Sequence, residues 1–194
     1  VYGTFKAKSD RFRVEVQDSS FYFLRNEQNG LCLADAIASE DTIGLFVSTA
    51  SLGMERYLAQ LEREGNMQTL LSLKLLGDRL AEALADEAEA LIRRMWAYEQ
   101  PMYLRPAPGY PSWSDHSEKA TLFSLLGATE KIGVRLTESF AMDPPSSVCG
   151  MLIGGENLRY FAQGPIGKKQ LQMYAHAKGL TSQQLATLLS GMEY

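Results

Sequence analysis

The segment with the clearest chemical potential is RPAPGYP, Arg105–Pro111, which holds three of the seven prolines of the chain. Each proline fixes its own φ at about −65° and pushes the residue before it toward extended backbone. The segment is therefore predicted to be stiff, with carbonyl groups free to accept hydrogen bonds from a ligand. The planar guanidinium of Arg105 can bind a carboxylate through two parallel hydrogen bonds. The small residues Ala107 and Gly109 would let a flat ring lie against the backbone. A rigid surface connector has the same composition and remains the alternative.

Few residues outside this loop could carry catalysis or hold a metal. The chain has only two histidines, His116 and His176, and two cysteines, Cys32 and Cys149, without metal-ligand spacing. No histidine-based metal site and no catalytic residue is predicted. Glycine-rich nucleotide-binding loops and the G-x-S-x-G nucleophile motif are absent from the sequence.

The bulk composition excludes two classes of partner. The 194 residues carry a formal net charge of −4 with no run of Lys or Arg, which argues against a nucleic-acid surface. No stretch approaches the roughly 18 apolar residues of a membrane-spanning helix, and free thiols are typical of the cytoplasm. We therefore expect a cytoplasmic protein that binds neither nucleic acid nor membrane.

Apolar periodicity predicts strands and helices that are not in βαβ order. The predicted strands are 12–16, 19–24, 42–49, 135–140, 148–153 and 158–163, the last two joined as a hairpin across 154–157. The predicted helices are 31–38, 51–65, 67–98, 115–126, 168–178 and 182–190. This order favours an α+β fold, with a mainly antiparallel sheet flanked by long helices.

The long helix has two distinct faces, and several helix ends carry capping signals. One face is an apolar stripe of the kind that faces a core: Leu73, Leu76, Leu80, Leu84, Leu91 and Met95. The other carries Asp78, Glu82, Asp86 and Glu89, and a run of charges on a helix is usually a solvated face. Asp115 with Glu118, and Thr181 with Gln184, are predicted to cap helices, and Gly179 to end one.

Five segments together resemble the activation domain of cobalamin-dependent methionine synthase. They are RPAPGYPSWSDHSEK (105–119), LTESFAMDPPSSVCG (136–150), DRLAEAL (78–84), CLAD (32–35) and RYFA (159–162). The likeness runs from about Leu31 to the C-terminus, and the first 30 residues match poorly. Only eight residues separate Trp96 from Arg105, where the family usually has a longer insert.

The resemblance implies one C-shaped domain over residues 1–194, with a twisted antiparallel sheet. It implies that the domain binds S-adenosylmethionine and supports reductive methylation of cob(II)alamin, with an electron from flavodoxin or a similar reductase. The chain lacks an Asp-x-His-x-x-Gly cobalamin signature, so the cobalamin must sit on another domain or a partner protein. The chain is then part of a methyltransferase if it is linked to one, without a complete active site of its own.

The resemblance also assigns the site residues. Arg105 would bind the ligand carboxylate, Asp35 the ammonium group, and the backbone at Ala107 and Gly109 the adenine. The remaining ligand contacts would be Tyr110, Tyr160 and Phe161, and the residues facing the cobalamin domain Asp78, Glu82 and Glu99.

Two other functions remain open at this stage. The chain could be a stand-alone module that binds a corrinoid protein and has lost or altered S-adenosylmethionine binding. An ordinary small-molecule methyltransferase is disfavoured, because the sequence shows neither a glycine-rich loop nor an obvious general base.

Overall fold

The computed structural model describes residues 1–96, 99–156 and 158–189. The strands are β1 (Tyr2–Asp10), β2 (Arg13–Val16), β3 (Ser19–Tyr22), β4 (Asp41–Thr49), β5 (Met102–Leu104), β6 (Arg135–Leu136), β7 (Met142–Asp143) and β8 (Ser147–Gly155). The helices are α1 (Glu55–Arg63), α2 (Met67–Met95), α3 (Glu118–Leu126), α4 (Ala128–Ile132), α5 (Lys168–Ala177) and α6 (Ser182–Leu188), with a 3₁₀ helix at Leu33–Ala36. Residues 97, 98 and 190, at the ends of two predicted helices, and residue 157, in the predicted hairpin turn, lie outside the described ranges.

Six strands form one antiparallel sheet in the order β3-β2-β1-β4-β8-β5, and β6 pairs with β7 in a separate ribbon. The predicted α+β fold with an antiparallel sheet is confirmed, and so is the central place of the strand at 42–49. β4 and β8 are almost entirely buried, because both faces of the sheet are covered.

The two faces of the sheet pack against different elements. On one face Ile43, Leu45 and Val47 of β4 join the main core, which includes Trp113 and α3. On the other face Phe46 packs with residues of α2 in a second cluster. Since side chains alternate across a strand, β4 supplies both cores. A third cluster holds α5 and α6 against Leu24.

The apolar stripe predicted to face the core on α2 is the wrong face. Leu76, Leu80, Leu84 and Met95 are each about half exposed, at 53%, 49%, 46% and 51%. Small residues instead contact the sheet, with Gly77, Ala81, Ala85 and Ala88 among the buried positions of the helix. Ile92 is the large residue of this face that reaches the sheet, and it fits because it lies against Gly44 of β4, where an added Cβ would be 2.4 Å from it. The four leucine and methionine side chains project from the flank of the helix instead.

The predicted strand at 158–163 and its hairpin with β8 are also wrong. Residues 158–163 form no strand, and Gly154 and Gly155 continue β8 and pair with β5. β5 lies inside a segment predicted to be a loop, and no strand was predicted at β1. Both strands are recognised only from their pairing with neighbouring strands in the structure. β5 has three residues, too few to show an alternation of apolar and polar side chains.

One of the two predicted capping pairs is confirmed and the other is wrong. Thr181 and Gln184 form the expected reciprocal pair at α6, and Gly179 ends α5 with φ +67°. Asp115 and Glu118 do not form one. α3 begins at Glu118, whose carboxylate is buried against Tyr22 N and Lys178. Asp115 accepts from the N–H of Ser117 instead.

Candidate functional site

The RPAPGYP loop folds into two consecutive turns. The Ala107 carbonyl accepts from Tyr110 N at 3.2 Å, with Pro108 and Gly109 between them and Gly109 at φ +97°. Proline followed by a glycine of positive φ is the signature of a type II turn. The Tyr110 carbonyl then accepts from Trp113 N at 2.8 Å, and Gly109 N donates to the Trp113 carbonyl at 2.7 Å. The predicted stiffness therefore comes from hydrogen bonds as well as from proline rings.

Two contacts fix the start of the loop, one to the sheet and one to the segment 158–163. The Pro106 carbonyl accepts from Met151 N of β8 at 2.9 Å, and Arg105 N donates to the Tyr160 hydroxyl at 2.7 Å. Gly150 allows this approach, because an added Cβ would lie 3.2 Å from the Pro106 oxygen and 2.9 Å from the Phe46 ring. The expectation that the loop carbonyls are free for a ligand is thus too broad, because four of them already accept hydrogen bonds within the protein: those of Pro106, Ala107, Tyr110 and Pro111.

His116 holds the loop to the next helix. A Cβ at Gly109 would collide with the His116 ring, so only glycine fits there. His116 Nδ1 lies 2.8 Å from Lys119 Nζ, which also donates to the Phe140 carbonyl at 3.1 Å. His116 is therefore a structural residue.

A cavity of about 570 Å³ opens beside the loop. That volume lies within the range of small-molecule sites. Its lining is mainly apolar and comes from β4, β8, the loop and residues 160–162, and Glu82 and Arg105 supply charge. A second cavity of about 500 Å³ shares Glu82, Ala107, Tyr110, Val148 and Cys149 with the first. We call the two together the loop groove.

Arg105 is held by the acidic face of α2. Its Nη1 lies 2.6 Å from Asp86 Oδ1 and 3.4 Å from Glu89 Oε2, and its Nη2 lies 4.0 Å from Glu82 Oε2. The guanidinium carbon also lies 6.0 Å from the centre of the Phe46 ring. The acidic run on α2 is therefore more than a solvated face, since it holds the Arg105 side chain at the wall of the first cavity.

The structure brings most of the predicted ligand contacts together and leaves Asp35 apart. Arg105, Ala107, Tyr110, Tyr160 and Phe161 all line the first cavity. Asp35 lines a different cavity of about 940 Å³, and Phe161 lines both. The Asp35 carboxylate accepts from both Nη atoms of Arg25, at 2.5 and 2.7 Å. Gly109 lies against His116 rather than in the lining.

The three residues predicted to face a cobalamin domain have different surroundings. Glu82 lines both cavities of the loop groove. Asp78 lines the second cavity and accepts from the Ser146 hydroxyl at 2.7 Å, so it also holds the proline-rich turn before β8. Glu99 is exposed and belongs to neither lining.

Sequence reasoning missed the floor of the groove, which Phe46, Val148 and Cys149 form. These residues sit in strands that were predicted, but a floor residue carries the same apolar signal as a core residue. Burial raises the pKa of Cys149 to about 12, so its thiol is a packing group and not a nucleophile. Asp86 and Glu89 were noted only as parts of a charged face.

A second charged cluster lies where the loop segment enters α3. Lys178 Nζ donates to Asp115 Oδ2 at 2.6 Å and to Glu118 Oε1 at 2.5 Å. Tyr174 donates to Asp115 at 3.0 Å. Burial raises the pKa of Glu118 to about 7 even though Lys178 opposes that shift. The neighbouring carboxylates hold the pKa of Lys178 above its usual value despite burial. We call these four residues the Lys178 cluster.

The sequence model of the family "Vitamin B12 dependent methionine synthase, activation domain" matches residues 1–179. The chain belongs to this family. Its fold also matches a solved structure, the MetH reactivation domain bound to AdoHcy, with a TM-score of 0.87 and 30% sequence identity. That match covers all of this chain and 70% of the other. The family range includes the first 30 residues, which share few motifs with the family.

In the part of the chain that the structure describes, no helix combines the length and apolar character that a membrane crossing requires. Within the same residues, no group of three or more His, Cys, Asp or Glu is placed to hold a metal ion.

Proposed function

We propose that this domain binds S-adenosylmethionine in the loop groove and supports reductive methylation of a cobalamin carried by another domain or a partner protein. The observation that carries the proposal is the joint placement of Arg105, the double turn and four aromatic residues around one cavity. The family and the AdoHcy-bound neighbour make this ligand the first choice.

The chemistry of the lining fits the parts of the ligand. The Arg105 guanidinium would form charge-assisted hydrogen bonds with the carboxylate. The adenine would lie against the backbone at Ala107, beside Tyr110. Gly109 lies outside the lining and would act by forming the turn that carries Ala107. Tyr160 and Phe161 offer aromatic faces that attract a sulfonium cation.

Binding of the ligand ammonium by Asp35 requires the ligand to extend across two cavities. The ligand would have to reach past Phe161 into the neighbouring cavity, where Arg25 already binds the Asp35 carboxylate. Because the Asp35 side chain is 51% exposed, it retains a face that an ammonium group could approach.

The step itself is a transfer of a methyl cation between two bound partners. When it is bound by the other domain or partner, reduced cobalamin would supply the electron pair for the new bond to the methyl carbon, and sulfur would keep the electrons of the broken carbon–sulfur bond. The reducing electron comes from flavodoxin or a similar reductase. The role of this chain is to hold the sulfonium at the groove, with Asp78, Glu82 and Glu99 toward the cobalamin domain.

Titration calorimetry of the isolated domain with S-adenosylmethionine tests the proposal. Arg105→Ala removes a charge-assisted carboxylate partner, so we expect binding to weaken by about 1.5–3 kcal/mol without unfolding. Arg94→Ala is the matched control, since Arg94 is exposed on α2. Equal affinity of wild type and Arg105→Ala would remove Arg105 from the site.

The second candidate is a module that binds a corrinoid protein but not S-adenosylmethionine. It is favoured by the two ion pairs that already occupy Asp35 and Arg105. Heat released with a cobalamin-loaded partner domain, together with none on addition of S-adenosylmethionine alone, would favour this candidate over the first.

A further inference from the structure

We infer that Asp86 competes with the ligand carboxylate for Arg105 and so sets the affinity of the loop groove. The inference rests on the proposed function, in which the ligand carboxylate binds Arg105. It adds a residue on α2 that lines neither cavity of the groove.

The geometry shows that Arg105 is already engaged. Asp86 and Glu89 both approach Nη1, at 2.6 and 3.4 Å, and Glu82 lies 4.0 Å from Nη2. A ligand carboxylate added to this arrangement would be the fourth negative group around one positive charge. Like charges at such short range repel, so one protein carboxylate must withdraw.

Asp86 is the carboxylate that can leave at least cost. Its side chain is 72% exposed, against 47% for Glu82 and 25% for Glu89. Released into solvent, Asp86 is rehydrated immediately. Glu89 also lies 3.8 Å from Arg93 Nη1, and Glu82 lines the cavity, where it would face the positive end of the ligand.

Competition and simple attraction predict opposite signs for the loss of this charge. S-adenosylmethionine carries a net positive charge, so an acidic group that acted only through long-range attraction would weaken binding when neutralised. If the acidic group instead occupies Arg105, its neutralisation would strengthen binding, because the guanidinium would be free for the ligand carboxylate. Exposed ion pairs are weak, so the expected gain is about two- to fivefold.

The test is calorimetric titration of wild type, Asp86→Asn and Glu87→Gln with S-adenosylmethionine. Glu87 is the matched control: it is the next residue on α2, also exposed, and not among the carboxylates within 4.0 Å of Arg105. We expect Asp86→Asn to bind about two- to fivefold tighter and Glu87→Gln to bind like wild type. With AdoHcy, which lacks the sulfonium charge, the gain should be at least as large.

A double-mutant cycle separates competition from a structural role of Asp86. In the Arg105→Ala background, Asp86→Asn should no longer tighten binding. Equal or weaker binding by Asp86→Asn, or a gain that persists without Arg105, overturns the inference while the proposed function stands. Absence of binding by the wild-type domain overturns the proposed function and this inference with it.

Discussion

The molecule contains two clusters in which one cation meets several carboxylates, and they differ in burial. In the Lys178 cluster the Asp115 and Glu118 side chains are each 1% exposed and Lys178 is 12% exposed. Around Arg105 the carboxylates are 25–72% exposed and the guanidinium is 27% exposed. The first cluster cannot exchange partners without unfolding its surroundings. The second lies at the edge of a cavity and can.

The two clusters lie at opposite ends of the segment that contains the RPAPGYP loop. The RPAPGYP loop runs through Trp113 directly into Asp115, and Lys178 ties that point to the end of α5. One end of the segment is thus fixed in the interior, while Arg105 at the other end stays at the groove. We therefore expect the buried Lys178 cluster to stabilise the fold and the exposed Arg105 cluster to take part in the ligand binding that we propose.

The largest expected effect comes from opening the closed cluster. Lys178→Met leaves two buried carboxylates without their cation, and removal of one member of a buried ion pair costs about 3–5 kcal/mol. Urea unfolding followed by circular dichroism measures this loss. Lys168→Met, an exposed position at the start of α5, should change the free energy of unfolding by less than about 0.5 kcal/mol. A loss below about 1 kcal/mol for Lys178→Met would contradict the division of roles.

The next effect tests the turn between the clusters. Gly109→Ala places a Cβ into the His116 ring at a backbone φ of +97°, so we expect a loss of about 1–3 kcal/mol in unfolding free energy together with weaker ligand binding. Gly30→Ala is the matched control, since Gly30 has φ +73° and nothing within 4 Å of an added Cβ. If both variants lose the same stability and bind equally well, the contact with His116 is unimportant.

A smaller effect concerns pH. Burial raises the pKa of Glu118 from the usual 4.5 to about 7, so the native state holds this proton more tightly than the unfolded state does. Between these two values the contribution of Glu118 to stability falls as pH rises. The stability of wild type relative to Glu118→Gln should therefore decrease by about 1–2 kcal/mol between pH 5 and pH 7. A difference in unfolding free energy that stays flat or grows over this range would be inconsistent with a buried, proton-binding Glu118.

Local signals in the sequence were enough for elements whose residues decide their own structure. β4 and β8 follow from apolar runs, and the start of α6 from the Thr181–Gln184 pair. The same approach failed on α2, because the helix contacts the sheet mostly through small residues and Ile92, and most of its leucine stripe is left exposed. It also failed at Glu118, whose spacing from Asp115 imitates a cap while its partner, Lys178, lies 60 residues away.

The site was predictable to the extent that its chemistry is concentrated in one segment. RPAPGYP identified the loop, and its proline–glycine order contains the type II turn. Neither the Arg25–Asp35 pair nor the Asp86–Arg105 pair could be found in this way, because each joins residues that the fold brings together from separate segments. The single-domain assignment over 1–194 and the residues facing a cobalamin domain stay predictions.

The most direct test of the central claim is a crystal structure of this domain with AdoHcy. The account predicts the ligand in the loop groove, with its carboxylate within hydrogen-bonding distance of the Arg105 guanidinium and its purine against the backbone at Ala107. Asp86 should have moved away from Arg105 in that structure. A ligand bound outside the groove, or one whose carboxylate is held by residues other than Arg105, would contradict it.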